Sequence, residues 1–190
     1  AIEIWPEYQD AYNNLGIAYM NSKDFENAYR VYNDFIKKFP SYVKVRYNMG
    51  STCYQLKKYD EAETNFEVYL EANPDQNDAL FFLAECEGFQ QKFTEAIMHI
   101  YQLIELEPNN ERGYLKLGMA YGITGQLDLA EPAFLKAIEL NPSNADCRFN
   151  LAIMYVNRGQ NQVAITQLEL ALKADPVNIR AQQLLTELKG

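Results

Sequence analysis

Asn14, Asn48 and Asn150 open three versions of one phrase: NLGIAY, NMGSTCY and NLAIMY. An amide side chain offers both a donor and an acceptor, so it pairs with a peptide bond whatever residue that bond belongs to. That is chemistry of recognition. Side chains for making and breaking bonds are sparse by comparison. His99 is the only histidine and reads as a surface or half-buried side chain. Glu85 and Glu87 stand two apart, which on a helix points them to different faces, so they cannot share one substrate atom. No glycine-rich phosphate loop, GxSxG turn or HExxH helix occurs. Cys53, Cys86 and Cys147 form no CxxC pair and read as buried free thiols, which fits a reducing, cytoplasmic setting. The expectation is therefore a chain that is not an enzyme, with no catalytic residue, no metal site and no cofactor.

Charge and composition narrow the partners. The 190 residues carry 17 Lys and Arg against 26 Asp and Glu, a formal net charge of −9, which is a poor match to a phosphate backbone and argues against nucleic acid. No apolar run approaches the roughly 20 residues of a membrane span, so membrane insertion is not expected. With 48% hydrophobic residues the chain has enough apolar side chains for a core. Protein or peptide is left as the partner class.

The recognition residues must be carried by a repeating scaffold. Prolines stand at 6, 40, 74, 108, 142 and 176, each 34 residues after the last. Ala28, Ala62, Ala96, Ala130 and Ala164 keep the same beat, as do Leu15, Met49, Leu83, Leu117 and Leu151 at an apolar place. A strict period of this length signals a solenoid whose units bury their apolar faces only against neighbours. Inside one unit, Ala11, Leu15, Ala18, Tyr19 and Ser22 make one helical stripe, and Ala28, Val31, Tyr32, Phe35 and Ile36 a second. NSKDF between them is a polar turn with Asp24 as N-cap. The second helix of each unit runs out before its proline, which forces the preceding residue out of helical geometry. The fold class is all-α, built of helix hairpins.

The pattern W-x2-L-G-x2-Y, A-x3-F, P is met here by Tyr12, Leu15, Gly16, Tyr19, Ala28, Tyr32 and Pro40. Tyr114, Leu117, Gly118, Tyr121, Ala130, Phe134 and Pro142 meet it again. In this the chain resembles the tetratricopeptide repeat. The resemblance implies a right-handed superhelical solenoid of helix-turn-helix units at 7–40, 41–74, 75–108, 109–142 and 143–176, with a C-terminal capping helix at 177–190. Residues 1–6, AIEIWP, resemble AIELNP at 137–142, so the chain is expected to start inside a preceding repeat, as a fragment of a longer array. Four departures stand out. Arg46 and Arg148 replace the first aromatic, and Ala84 and Ala152 the glycine. Glu87 stands at a core tyrosine place, where it must either reach solvent or find Lys and backbone partners. Pro132 near the start of a second helix is expected to distort it slightly.

In that family the first helices line a concave groove. Carried onto this sequence, its ligand-facing places give a groove of Asn14, Tyr47, Asn48, Tyr54, Phe81, Phe82, Phe89, Arg112, Leu115, Lys116, Met119, Phe149 and Asn150. Phe81, Phe82, Phe89, Leu115, Met119 and Ile123 are expected to form an apolar depression across the third and fourth repeats, cleared by Gly88 and Gly122 and rimmed by Tyr47, Tyr54 and Phe149. The alternative is that superhelical winding buries these side chains against one another. The asparagines are either a ladder for an extended chain or family consensus. Arg112 and Lys116 match half of the family's co-chaperone carboxylate clamp, but Tyr47, Ser51 and Phe82 fill its other places, so no clamp is expected. The pair either receives an acidic partner side chain or bridges to Glu85 and Asp78. The leading expectation is a scaffold holding an extended or helical peptide with apolar side chains. Two alternatives stay open: self-association through solenoid ends bearing Ile2, Ile4 and Trp5, and the substrate-selecting arm of a larger enzyme.

Overall fold

A computed structural model of the chain describes residues 6–190, with side chains from Gln9 onward. Ile2, Ile4 and Trp5 lie outside the described residues. Among those described there are eleven helices and no strand. They are α1 (Pro6–Asn21), α2 (Phe25–Lys38), α3 (Lys44–Gln55), α4 (Tyr59–Ala72), α5 (Asn77–Phe89) and α6 (Phe93–Leu106). The rest are α7 (Glu111–Ile123), α8 (Leu127–Leu140), α9 (Ala145–Asn157), α10 (Asn161–Ala174) and α11 (Ile179–Lys189). The chain divides into two compact units, residues 1–99 and 100–190, with the dividing line inside α6.

Each unit repeats one packing rule. A first helix lies on its own second helix, α3 on α4 or α9 on α10, and also on the second helix before it, α2 or α8. The small place of the repeat explains the first contact. A Cβ added at Gly16 would come within 2.3 Å of the Tyr32 ring, at Gly50 within 2.9 Å of Phe66, and at Gly118 within 2.7 Å of Phe134. Those three rings are buried in the cores they fill, each worth on the order of 1.5–3 kcal/mol of apolar burial. Turns between paired helices close with one hydrogen bond repeated five times, from Asp24, Lys58, Lys92, Gln126 and Gln160 N–H to the carbonyl five residues back. The residue before that donor is left-handed throughout: Lys23, Lys57 and Gln91 in the first unit, Gly125 and Gly159 in the second. Asp24 caps α2 as expected, its carboxylate accepting from the Asn27 N–H. Asn110, Asn144 and Asn178 cap α7, α9 and α11 in the same way.

Several sequence expectations change once neighbours are in place. Met49, Leu83, Leu117 and Leu151 are buried, but Leu15 is exposed, together with Ala11, Ala18 and Ser22. That face of a first helix packs on the preceding second helix, and among the described residues none precedes α1. Glu87 is 2% exposed and is satisfied by neither lysine nor backbone: its carboxylate meets His99 Nδ1 at 2.9 Å. Where arginine replaces the first aromatic, the paired helix supplies an amide oxygen as acceptor, Asn65 for Arg46 at 3.0 Å and Gln167 for Arg148 at 3.4 Å. Pro132 sits on the exposed side of α8, which runs unbroken from Leu127 to Leu140.

Candidate functional site

In the first unit, the exposed face of the first helices is built on rings. The Tyr54 side chain leaves α3 and meets Phe82 of α5 edge-on, 5.2 Å between centroids, and its hydroxyl donates to Glu85 Oε2 at 2.8 Å. Burial, reinforced by that carboxylate, pushes the Tyr54 hydroxyl far above the ordinary phenol range. Phe82 in turn stacks over the core ring of Phe66. Phe89, 55% exposed, stacks on Tyr59 at 4.4 Å. Tyr47 packs between Phe66 and Tyr69, and burial raises its hydroxyl as well. Phe81, expected to offer ring surface, is only 4% exposed. Of the groove residues assigned to this unit, then, Tyr54, Phe82 and Phe89 come together, Tyr47 lies one ring inward, and Phe81 belongs to the packing.

In the second unit the corresponding face is hollow. Between α7 and α9 lies an open space of about 150 Å³. Phe134 and Met154 lie at the core side of its wall, with Met119 and Gly122 from α7 and Ile153 from α9. Ile123, 63% exposed, and the amides of Asn150 and Asn157 complete the lining. Met119 and Asn150, both expected in the groove, thus line one hollow. Leu115 and Lys116 are half-buried on α7, and Arg112 is exposed at its start. Phe149 is buried, with the Arg180 guanidinium of α11 4.9 Å above the ring and paired to Asp146 at 2.7 Å.

The three asparagines take three different positions. Asn48 donates to Asn13 Oδ1 at 2.8 Å, linking α3 to α1. Asn150 donates to its own helix at the Asp146 carbonyl, also at 2.8 Å, so part of its amide is used locally. Asn14 is exposed.

Among the described residues no three metal-ligating side chains cluster, and no helix is long and apolar enough to cross a membrane. Cys53, Cys86 and Cys147 are buried, and burial pushes each thiol up to about 12, away from the reactive thiolate. His99, the one imidazole, is engaged by Glu87.

The floor residues Phe134 and Met154 are absent from the sequence-derived groove because their repeat places face the core. A signal was available: the groove columns two repeats apart read Tyr54 against Gly122 and Phe82 against Asn150. Glu87 stood out as an acid at a core tyrosine place, but nothing in the repeat pointed to His99 as its partner, since His99 has no repeat counterpart of its own type.

Comparison with known proteins places this architecture. Models of the tetratricopeptide repeat match residues 47–111 and 123–188. A third model, described as anaphase-promoting complex, cyclosome, subunit 3, matches residues 6–69. A comparison with curated protein sequences finds no match. Among solved structures, MamA from Desulfovibrio magneticus RS-1 superposes with a TM-score of 0.83 at 20% identity, over 90% of this chain and 97% of that one. YrrB, a TPR protein with an unusual peptide-binding site, gives 0.78 at 23% identity, over 90% and 89%. TTC0263, a thermophilic TPR protein in Thermus thermophilus, gives 0.71 at 18%, over 95% and 98%. At such identities the likeness is one of fold.

Proposed function

The chain is a tetratricopeptide repeat protein, a kind of protein-interaction scaffold that is generally non-catalytic, and we propose that it binds a peptide segment through apolar side chains laid on its first-helix face. The observation that carries this reading is the hollow between α7 and α9, an unfilled apolar space with asparagine amides in its lining. Soluble folds close such space with their own side chains unless something else enters it. The exposed rings and alkyl groups of Phe89 and Ile123 lie on the same kind of face, in the first and second unit respectively. Apolar anchors supply affinity at such surfaces, and amides supply register without dictating sequence.

Panning a random peptide library displayed on phage against the whole chain tests this. The expected catch is peptides with apolar side chains. Their binding is lost in the double variant Ile123→Asp/Ile153→Asp and kept in Met98→Asp, which changes a side chain of intermediate exposure between those two, on a second helix. An empty selection, or binding that survives the double variant, overturns the proposal.

A further inference from the structure

We infer that the hollow between α7 and α9 is a socket for one phenyl side chain of a partner peptide, taking phenylalanine in preference to tyrosine. The inference rests on the groove reading above and sharpens it.

The first unit supplies the comparison. Two repeats separate α3 and α5 from α7 and α9, so Tyr54 falls at the place of Gly122, Phe82 at that of Asn150, and Glu85 at that of Ile153. In the first unit this place is filled in cis, by the Tyr54 ring set against Phe82 with its hydroxyl on Glu85. In the second unit Gly122 contributes no side chain, nothing lies within 4 Å of the position its Cβ would take, and about 150 Å³ stays open. A cavity of about that volume is enough to hold a benzene ring. The socket is one aromatic ring short of its counterpart.

No packing contact in the fold requires the glycine, nor its counterpart Gly88 one repeat earlier. Gly118, one turn earlier on α7, is required because the Phe134 ring lies against it. Gly122, in the last turn of α7, has no such ring, yet glycine in a helix is unfavourable relative to alanine. An occupant that approaches the helix closely accounts for it.

The walls select the occupant. Met119 and Met154 offer polarizable thioethers, which favour aromatic edges, and Phe134 offers a ring. Ile153 stands where Glu85 holds the Tyr54 hydroxyl, so a tyrosine entering in the same pose would lose its charged acceptor and set its hydroxyl against an alkyl group. Phenylalanine brings no such group. Asn150 and Asn157 are then placed to meet the peptide bonds on either side of the ring.

The test is methyl NMR on the whole chain, labelled at Met and Ile methyls and titrated with N-acetylphenylalanine amide and N-acetyltyrosine amide. With the phenylalanine probe, Met119, Ile123, Ile153 and Met154 are expected to shift together while Met49 and Ile36 stay put. The tyrosine probe should bind about tenfold more weakly. Gly122→Phe closes the socket from within and abolishes the shifts. Ile153→Glu restores the acceptor at a partly exposed position and reverses the order of the two probes. Shifts that persist in Gly122→Phe, or equal binding of both probes to the unaltered chain, overturn the inference. Its failure is separable from that of the groove reading. Panned peptides that bind Gly122→Phe as well as the unaltered chain, yet are lost in Ile123→Asp/Ile153→Asp, leave the groove standing without the socket.

Discussion

Between α3 and α5 the first unit places three aromatic side chains, Tyr54, Phe82 and Phe89, where the second unit has Gly122, Asn150 and Asn157 between α7 and α9. The backbones on the two sides obey the same rule, with a small residue under a buried ring at Gly50 and Phe66 and again at Gly118 and Phe134. What differs at this face is the outward layer. In the first unit the layer is self-complementary, each ring leaning on another and the one hydroxyl satisfied by Glu85. In the second the scaffold is intact but the layer is missing, and amides stand around the gap. On the proposed reading, a repeat protein turns packing surface into binding surface by changing a few outward places, because the core contacts lie on other faces of the same helix.

Removing the ring that fills the first unit breaks the comparison most severely. Tyr54→Ala should cost about 2–4 kcal/mol, near the lower part of the range for deleting a core aromatic, because Tyr54 is only half-buried. Urea unfolding followed by far-UV circular dichroism measures it. A cost under about 1 kcal/mol would mean that Tyr54 is surface decoration and no guide to an occupant. The two glycines of α7 sharpen the comparison with opposite signs. Gly118→Ala drives a methyl into the Phe134 ring and should cost about 1–3 kcal/mol. Gly122→Ala meets nothing and should stabilise by about 0.5–1 kcal/mol through helix propensity. The same unfolding assay reads both, and a destabilising Gly122→Ala would show that the glycine serves the fold after all.

The sequence carried the parts of this picture that are local and periodic. The proline beat, the paired helical stripes and the small place at Gly16, Gly50 and Gly118 each follow from contacts that recur along the chain, so repetition makes them legible. Exposure on the first-helix face does not recur, because it depends on which neighbour arrives. Leu15 obeys the apolar beat yet is exposed, having no described helix before it, whereas Phe149 sits at a ligand-facing place yet is buried under Arg180 of α11. The hollow is legible only as a difference between columns, since no single residue announces it. Arg46 with Asn65 and Arg148 with Gln167 lie between these cases, as a pair of substitutions repeated three units apart that a column-by-column reading recovers.

One core place carries the comparison below the surface, with the smallest expected effect. The second unit has tyrosines there, Tyr121 hydrogen-bonded to Tyr101 at 2.9 Å and Tyr155 donating to Glu131, which Tyr155 and Arg158 together keep ionised to lower pH than usual. The first unit has Tyr19 and Cys53 at that place and, in its third repeat, Glu87, almost wholly buried against His99. Burial raises the Glu87 carboxyl above its ordinary value of 4.5; the imidazole opposes the shift and the carboxylates of Glu63 and Glu95 add to it. A carboxyl raised on folding favours the native state while protonated. Its contribution is therefore complete below the unfolded value near 4.5 and is lost as pH climbs through the raised folded value. Glu87→Gln keeps a polar group beside His99 but has no charge to bury, so its thermal midpoint should gain on the unaltered chain as pH goes from about 4.5 towards neutral. His99→Gln removes the opposing imidazole and should steepen the loss over the same window. The effect is modest because the imidazole offsets part of the burial cost. If all three proteins lose stability in parallel between those limits, Glu87 does not carry its charge into the core, and the two units differ only in their outward layer.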